Sequence, residues 1–223
     1  MEGCQYADAY ALTQALGRDL RAQVVIREGV RITGIEATDD GVVLRLGTGG
    51  VLHADQAVLA PGPWLDAPAW KTLVAPFGVK VKKIVALHIE QTPAEDDHAV
   101  VFPDEDAFLL PLPRRGHWLF SYTCREWDVD PDAPAAGLST ENLAEARRCL
   151  RRYAPALLKR CSSGRVFCDA YSSDREPLVR SLDDAGRIVF AGAANGSGYR
   201  LAPAIASEAA DLLHLSSKVW SHS

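Results

Sequence analysis

Residues 187–213, RIVFAGAANGSGYRLAPAIASEAADLL, decide how the rest of the chain is read. The apolar run at Ile188–Ala193 has no alternation, as expected of a strand buried on both faces in a parallel sheet under helices. Gly192, Gly196 and Gly198 remove side chains where that run ends. A helix is expected over Ala202–Leu213, with Pro203 in its first turn, where a missing N–H costs nothing. Its unpaired N–H groups and positive dipole end would face whatever fills the crevice. These glycines are not the GxGxxG dinucleotide fingerprint, and no further strand follows them. On the residues alone, a tight strand-to-helix turn accounts for them as well as a ligand site does.

Upstream, Asp8 is placed to cap a helix through residues 8–20, with Leu12, Leu16 and Leu20 on one face. The run AQVVIREG (22–29) is β-rich. Three alternating stretches follow, VRITGIEATDD, GVVLRLGTGG and VLHADQAVLAPG, punctuated by Asp39-Asp40-Gly41 and by Gly47–Gly50. They read as a three-stranded meander ending at Pro61-Gly62-Pro63. The GTGG segment has no helix after it, which makes it a hairpin turn and not a phosphate cradle. A second β-rich region contains VKVKKIVALHIE, AVVFP, AFLLPLP and HWLFSYTC. Ser139 or Thr140 then caps a helix over residues 141–153, and GRVFCDAY (164–171) is one more strand. The expected fold class is α/β, or α+β by strict definition.

With 223 residues, 48% hydrophobic and 24% charged, the composition is that of a globular protein. A net charge of −5 with no dense basic run gives no basis for nucleic-acid binding. No apolar run reaches the ~18 residues of a membrane helix, and MEGCQYADAY is not a signal peptide, so the expected location is cytoplasmic. Cys4, Cys124, Cys149, Cys161 and Cys168 form no CxxC pair, and the histidines show no ligand spacing. Neither a disulfide framework nor a metal site is expected.

Taken in order, the chain resembles the C-terminal portion of the FAD-dependent D-amino acid oxidase superfamily, especially its sarcosine oxidase and glycine oxidase branch. YADAYALTQAL is similar to that family's pre-strand helix, and residues 24–64 to its adenine-side strand, meander and small-residue turn. Residues 164–213 are similar to its closing flavin segment. The resemblance implies a partial FAD-binding domain (residues 1–70 and 172–223) and a substrate-side mixed or antiparallel sheet domain (71–171). It places the backbone of Gly196, Ser197, Gly198 and Tyr199 at the flavin ring, with Ser197 where relatives carry histidine. Ile32 matches the strand position that meets adenine, and Ala60, Gly62 and Trp64 match the turn along the cofactor. Arg200, beside Tyr199, matches the basic residue that grips a substrate carboxylate. Cys168 falls near a cysteine to which some relatives attach flavin covalently; a small buried core residue is the other reading.

Two departures carry implications. The chain contains no GxGxxG and no acidic residue placed for the adenine ribose, so it is expected to be one subunit of a split enzyme, a portion of a longer gene product, or a descendant that has lost flavin, with a complementary FAD-binding chain or a homo-oligomer as the expected partner. Relatives that oxidise sarcosine place an O₂-activating lysine on the strand that is here HWLFSYTC, which has none; Lys82 and Lys83 belong to another strand. The implied function is part of an FAD-dependent oxidoreductase acting on a small amine or amino acid. The competing reading is a non-catalytic stabilising partner that has lost flavin.

Overall fold

Asp8 opens helix α1 (Ala9–Leu20) as expected, its Oδ1 accepting from the Ala11 N–H at 3.1 Å. A computed structural model describes residues 7–133 and 137–214; Cys4 lies outside them. Leu12, Leu16 and Leu20 do share one face of α1, but each is exposed, and no residue of the helix is buried. The expected strand at 22–29 does not form: residues 21–31 run as turns and coil, and Val25 is 84% exposed. β-Propensity needs a neighbouring strand to act on, and no described strand lies alongside these residues.

The meander forms from β1 (Ile32–Thr38), β2 (Gly41–Leu46) and β3 (Val51–Ala54), antiparallel in the order β1-β2-β3. Gly41 has to be glycine: its φ is 153°, and a Cβ there would stand 2.4 Å from the Ala54 carbonyl oxygen. The third alternating stretch proves to be two strands. Its second half, β4 (Ala57–Leu59), leaves the meander and joins another sheet. Asp55 breaks the run, and Ala57-Val58-Leu59 finds its hydrogen bonds on the closing strand instead.

That second sheet holds β10 (Leu178–Ser181), β11 (Ile188–Gly192) and β4, in that order. β11 is antiparallel to β10 and parallel to β4, with Ile188, Val189 and Phe190 all buried. The expected two-sided burial is therefore real. Among the described residues β4 is one edge of this sheet, β10 the other, and Val58 on β4 is 48% exposed.

After the short helix α2 (Lys71–Val74) comes the largest sheet. It contains β5 (Lys80–Ile89), β6 (Val100–Phe102), β7 (Ala107–Leu112), β8 (His117–Trp127) and β9 (Cys161–Tyr171). Its order is β6-β7-β8-β5-β9, antiparallel throughout. One face takes helix α3 (Thr140–Tyr153), whose Ala146, Cys149 and Leu150 pack on Val85, Leu87, Ile89 and Phe120. Ser139 starts α3 with a reciprocal cap, its Oγ accepting from Asn142 N–H while Asn142 Oδ1 accepts from Ser139 N–H. A second cluster, including Leu59, Leu65, Val81, Ala170 and Phe190, joins the β4–β11 sheet to this one. Helix α4 (Gly198–Leu212) closes the fold by burying Ala209 against Val179, Val189 and Ala191. Helices thus pack on mixed and antiparallel sheets in an α/β fold, with no closed barrel among the described residues. Among the described residues, no helix is long and apolar enough to cross a membrane.

One ionic network sits on the α3 side of the large sheet. The Lys83 side chain is buried, with Nζ 3.2 Å from Glu126 Oε1, and the Asn142 amide donates to the same oxygen at 2.8 Å. Asn142, then Lys83, holds the Glu126 carboxyl below its ordinary value. That contribution to stability is complete above the ordinary carboxylate range and is lost as pH falls through the lowered folded value.

Candidate functional site

Leu59 and Phe190 are in register where β4 and β11 run parallel, so the chain leaves both strands at the same end of the sheet. Crevices outside the carboxyl ends of parallel strands are where open α/β sheets bind ligands. Here the crevice is a cavity of about 500 Å³. Ala60 and Gly62 wall it after β4, Gly192, Ala193, Ala194 and Gly196 after β11, and Ala202, Ala206 and Ala209 from α4. Gly198 also lines it, although a Cβ there would meet nothing closer than Ala194 Cβ at 3.6 Å. The chain's own packing tolerates a side chain at 198; the glycine keeps the cavity wall open.

The glycine turn differs from expectation in where its helix starts. α4 begins at Gly198, with Leu201 N–H donating to the Ser197 carbonyl at 3.0 Å, so Pro203 lies inside the helix. Pro203 has no N–H for the Tyr199 carbonyl, which is left without that intrahelical bond. The open first turn of the helix is therefore the glycine turn itself. Not all of the expected backbone donors are free, because Ser197 N–H is bonded to the Ala194 carbonyl at 2.8 Å.

Asn195, which gave no sequence signal beyond an Asn-Gly pair, holds this turn in place. Ala193, Asn195 and Gly196 all have left-handed φ, 51°, 54° and 74°. The Asn195 amide nitrogen donates to the Ala193 and Glu176 carbonyls at 2.8 and 3.1 Å, and its Oδ1 accepts from Ser172 N–H at 3.0 Å. The turn is thus tied to the loop after β9. Asn195→Ala should cost about 2 kcal/mol, from those bonds and from alanine's dislike of left-handed φ. Urea unfolding checks it, and Asn195→Gly, which relieves the φ penalty, should recover part of the loss.

The structure divides the residues singled out by sequence into groups. Ala60, Gly62, Gly196 and Gly198 share the cavity. Ile32 and Trp64 line a second cavity, of about 920 Å³, where Trp64 Nε1 donates to Asp132 Oδ1 at 2.7 Å. Tyr199 and Arg200 are exposed at the start of α4, with Arg200 Nη2 donating to Ser197 Oγ at 2.7 Å. Cys168 does not line the cavity; it packs half-buried against the Leu59–Phe190 cluster, where burial pushes its thiol up and disfavours the thiolate.

Sequence reading missed two neighbours of the turn. A Cβ on Gly196 would stand 3.4 Å from the Tyr171 hydroxyl and 3.9 Å from Asp169 Oδ2. Burial raises the Asp169 carboxyl and pushes the Tyr171 hydroxyl up to about 12, the latter opposed by a hydrogen bond with Thr123. A charged residue inside the largely apolar run VFCDAY was the available signal. Lys82, in register with Asp169, does not pair with it; its Nζ lies 4.5 Å from the Trp127 ring centroid and 5.6 Å from that of Tyr171. Lys82 and Lys83 thus lie on opposite faces of β5. Among the described residues no three metal-ligating side chains come together.

Residues 1–212 match the FAD dependent oxidoreductase family over nearly the whole chain, so this chain belongs to that family, whose cofactor is FAD. A double-cysteine mutant of Amadoriase I from Aspergillus fumigatus superposes with a TM-score of 0.73 at 21% identity, over 92% of this chain and 50% of that one. NikD, described as an unusual amino acid oxidase essential for nikkomycin biosynthesis, gives 0.64 at 19%, over 96% and 56%. Glycine oxidase from Geobacillus kaustophilus gives 0.64 at 16%, over 85% and 49%. The chain therefore spans about half the length of the structures it matches, and at these identities the likeness is one of fold. No curated protein gives a significant match.

The cavity fits one end of FAD and not the other. Its small, apolar wall and glycine turn suit a flat ring brought close to backbone. The wall carries no cationic side chain, and the chain has no GxGxxG to cradle a pyrophosphate.

Proposed function

We propose that this chain supplies the flavin-facing turn and the substrate-side sheet of an FAD-dependent oxidoreductase that acts on a small amine or amino acid. In this reading residues 1–70 and 172–223 form the cofactor-side part and 71–171 the substrate side. A complementary chain or segment carrying strand–GxGxxG–helix completes the pyrophosphate site. The observation that carries the reading is the glycine turn at the carboxyl ends of β4 and β11, clamped by Asn195 and open to a small-residue cavity. Bound FAD would accept a hydride from the carbon next to the amine nitrogen, leaving an imine.

The chain's own residues have three tasks. Gly196 and Gly198 let the ring approach, and the first turn of α4 presents N–H groups and a positive dipole end to a reduced, anionic ring edge. Arg200, anchored on Ser197, offers its guanidinium to a substrate carboxylate. The unpaired edge of β4, with Val58 exposed beside it, and the exposed leucine face of α1 supply apolar surface for the complementary half.

Purified alone, the chain should be almost colourless. Co-expressed with a complementary GxGxxG-bearing chain, it should copurify with flavin absorbance near 450 nm, about the usual flavin maximum. A tightly flavinylated monomer would remove the need for a complement. A stable but colourless complex would favour the non-catalytic partner.

A further inference from the structure

Asp169 is the one ionisable side chain on the wall of the flavin-side cavity, among the described residues. Every other residue on that wall is glycine, proline or an aliphatic side chain. Its carboxylate has no hydrogen-bond or ion-pair partner among the described residues, although Lys82 stands directly across the ladder. Trp127 and Tyr171 account for that: their rings, 5.5 Å apart and edge-on, hold the Lys82 ammonium. From its own strand, Asp169 has only Cys168 and Tyr171 as titratable neighbours. From α4, Arg200 is engaged on Ser197. A carboxylate left unpaired beside the Gly196 turn costs stability unless a ligand uses it.

We propose that Asp169 is the proton acceptor for a cationic amine substrate. The inference rests on the flavoprotein reading above and assigns the residue that makes the amine reactive. An alkylammonium has no lone pair to expel a hydride from the adjacent carbon; the neutral amine has. In the proposed step the ammonium N–H bond breaks, an O–H bond forms at Asp169 Oδ2, and the electron pair stays on nitrogen, with no change in oxidation state. The Tyr171 hydroxyl, near the same point over Gly196, is placed to orient the nitrogen. Burial raises the Asp169 carboxyl, which strengthens it as a proton acceptor.

The test is Asp169→Asn, with Asp169→Glu beside it, in the flavin-loaded complex. Glycine, N-methylglycine and fructosyl-glycine serve as amines. With asparagine, kcat/KM at neutral pH should fall about a hundredfold. The rising limb of its pH profile should move to the alkaline side, toward the free amine's own ionisation. Asp169→Glu should restore part of the original profile, and flavin content should not change.

A second readout does not depend on turnover. A raised folded value means the native state binds the proton more tightly than the unfolded chain does. The Asp169 contribution to stability is therefore most favourable in acid and is lost as pH climbs through the raised value, opposite in sign to that of Glu126. Asparagine does not titrate, so Asp169→Asn should raise Tm at neutral pH by about 2 °C or more, with the gain vanishing in acid. An unshifted pH profile in a wild type that turns over amines would overturn this assignment alone, as would a lower Tm for the asparagine variant at neutral pH. A wild type with neither flavin nor amine turnover in any complex would overturn the functional reading and this inference together.

Discussion

Arg200→Met should lower kcat/KM for a carboxylated amine by about thirty- to a thousandfold, the equivalent of about 2–4 kcal/mol for a lost charge-assisted bond. Methionine keeps much of the bulk and removes the planar charge. Arg200 is exposed and, among the described residues, its side chain bonds only to Ser197 Oγ, so stability and flavin content should change little. Arg200→Lys should recover part of the loss, because a point charge cannot reproduce the fork that two carboxylate oxygens require. The decisive comparison sets glycine against methylamine, which has no carboxylate. A carboxylate anchor predicts a large loss for glycine and none for methylamine. Equal losses for the two amines would reassign Arg200 to holding the Ser197 turn.

Gly164→Ala unfolds or severely weakens the chain, at a cost of about 3 kcal/mol or more. Gly164 lies on β9 opposite Leu87, in the pairing that ties β9 to the centre of the large sheet. A Cβ there would stand 2.6 Å from Leu87 Cδ2, 2.7 Å from the Ala86 carbonyl oxygen and 3.0 Å from Leu87 Cα. The Leu87 methyl could rotate away in an open site, but Leu87 is fully buried under α3 and has nowhere to go. Two of the three obstructing atoms are backbone, so the sheet must part. Urea denaturation with tryptophan fluorescence measures the effect. Gly50→Ala is the control: at a hairpin turn it meets only side-chain atoms at 3.5 Å or beyond, and it should shift the midpoint little.

Much of this fold was legible because its signals are local. Asp8 and Ser139 announce helix starts through the side chains that cap them. The alternation of β1 to β3 and the turn at Asp39-Asp40-Gly41 specify a meander between near neighbours in sequence. The unbroken Ile188–Gly192 run requires burial on both faces, whatever its partner. The family, too, is carried by the order of these segments, from the helix at α1 to the glycine turn.

What failed was whatever depends on a partner distant in the chain. Val24-Val25-Ile26 has the composition of a strand and forms none, since a strand is a relation between two segments and the described residues offer no second one. Ala57-Val58-Leu59 looked like the end of the meander, yet its hydrogen bonds lie on Ile188-Val189-Phe190, more than a hundred residues on. The helix at Gly198 overrode the usual place of Pro203, because the turn held by Asn195 sets where that helix can begin. The candidate site follows the same division. Gly196, Gly198 and Arg200 could be named from a short contiguous motif. Asp169 and Tyr171 became visible only when β9 was brought against the turn, since burial and the lack of a counter-ion are properties of surroundings that no stretch of sequence contains.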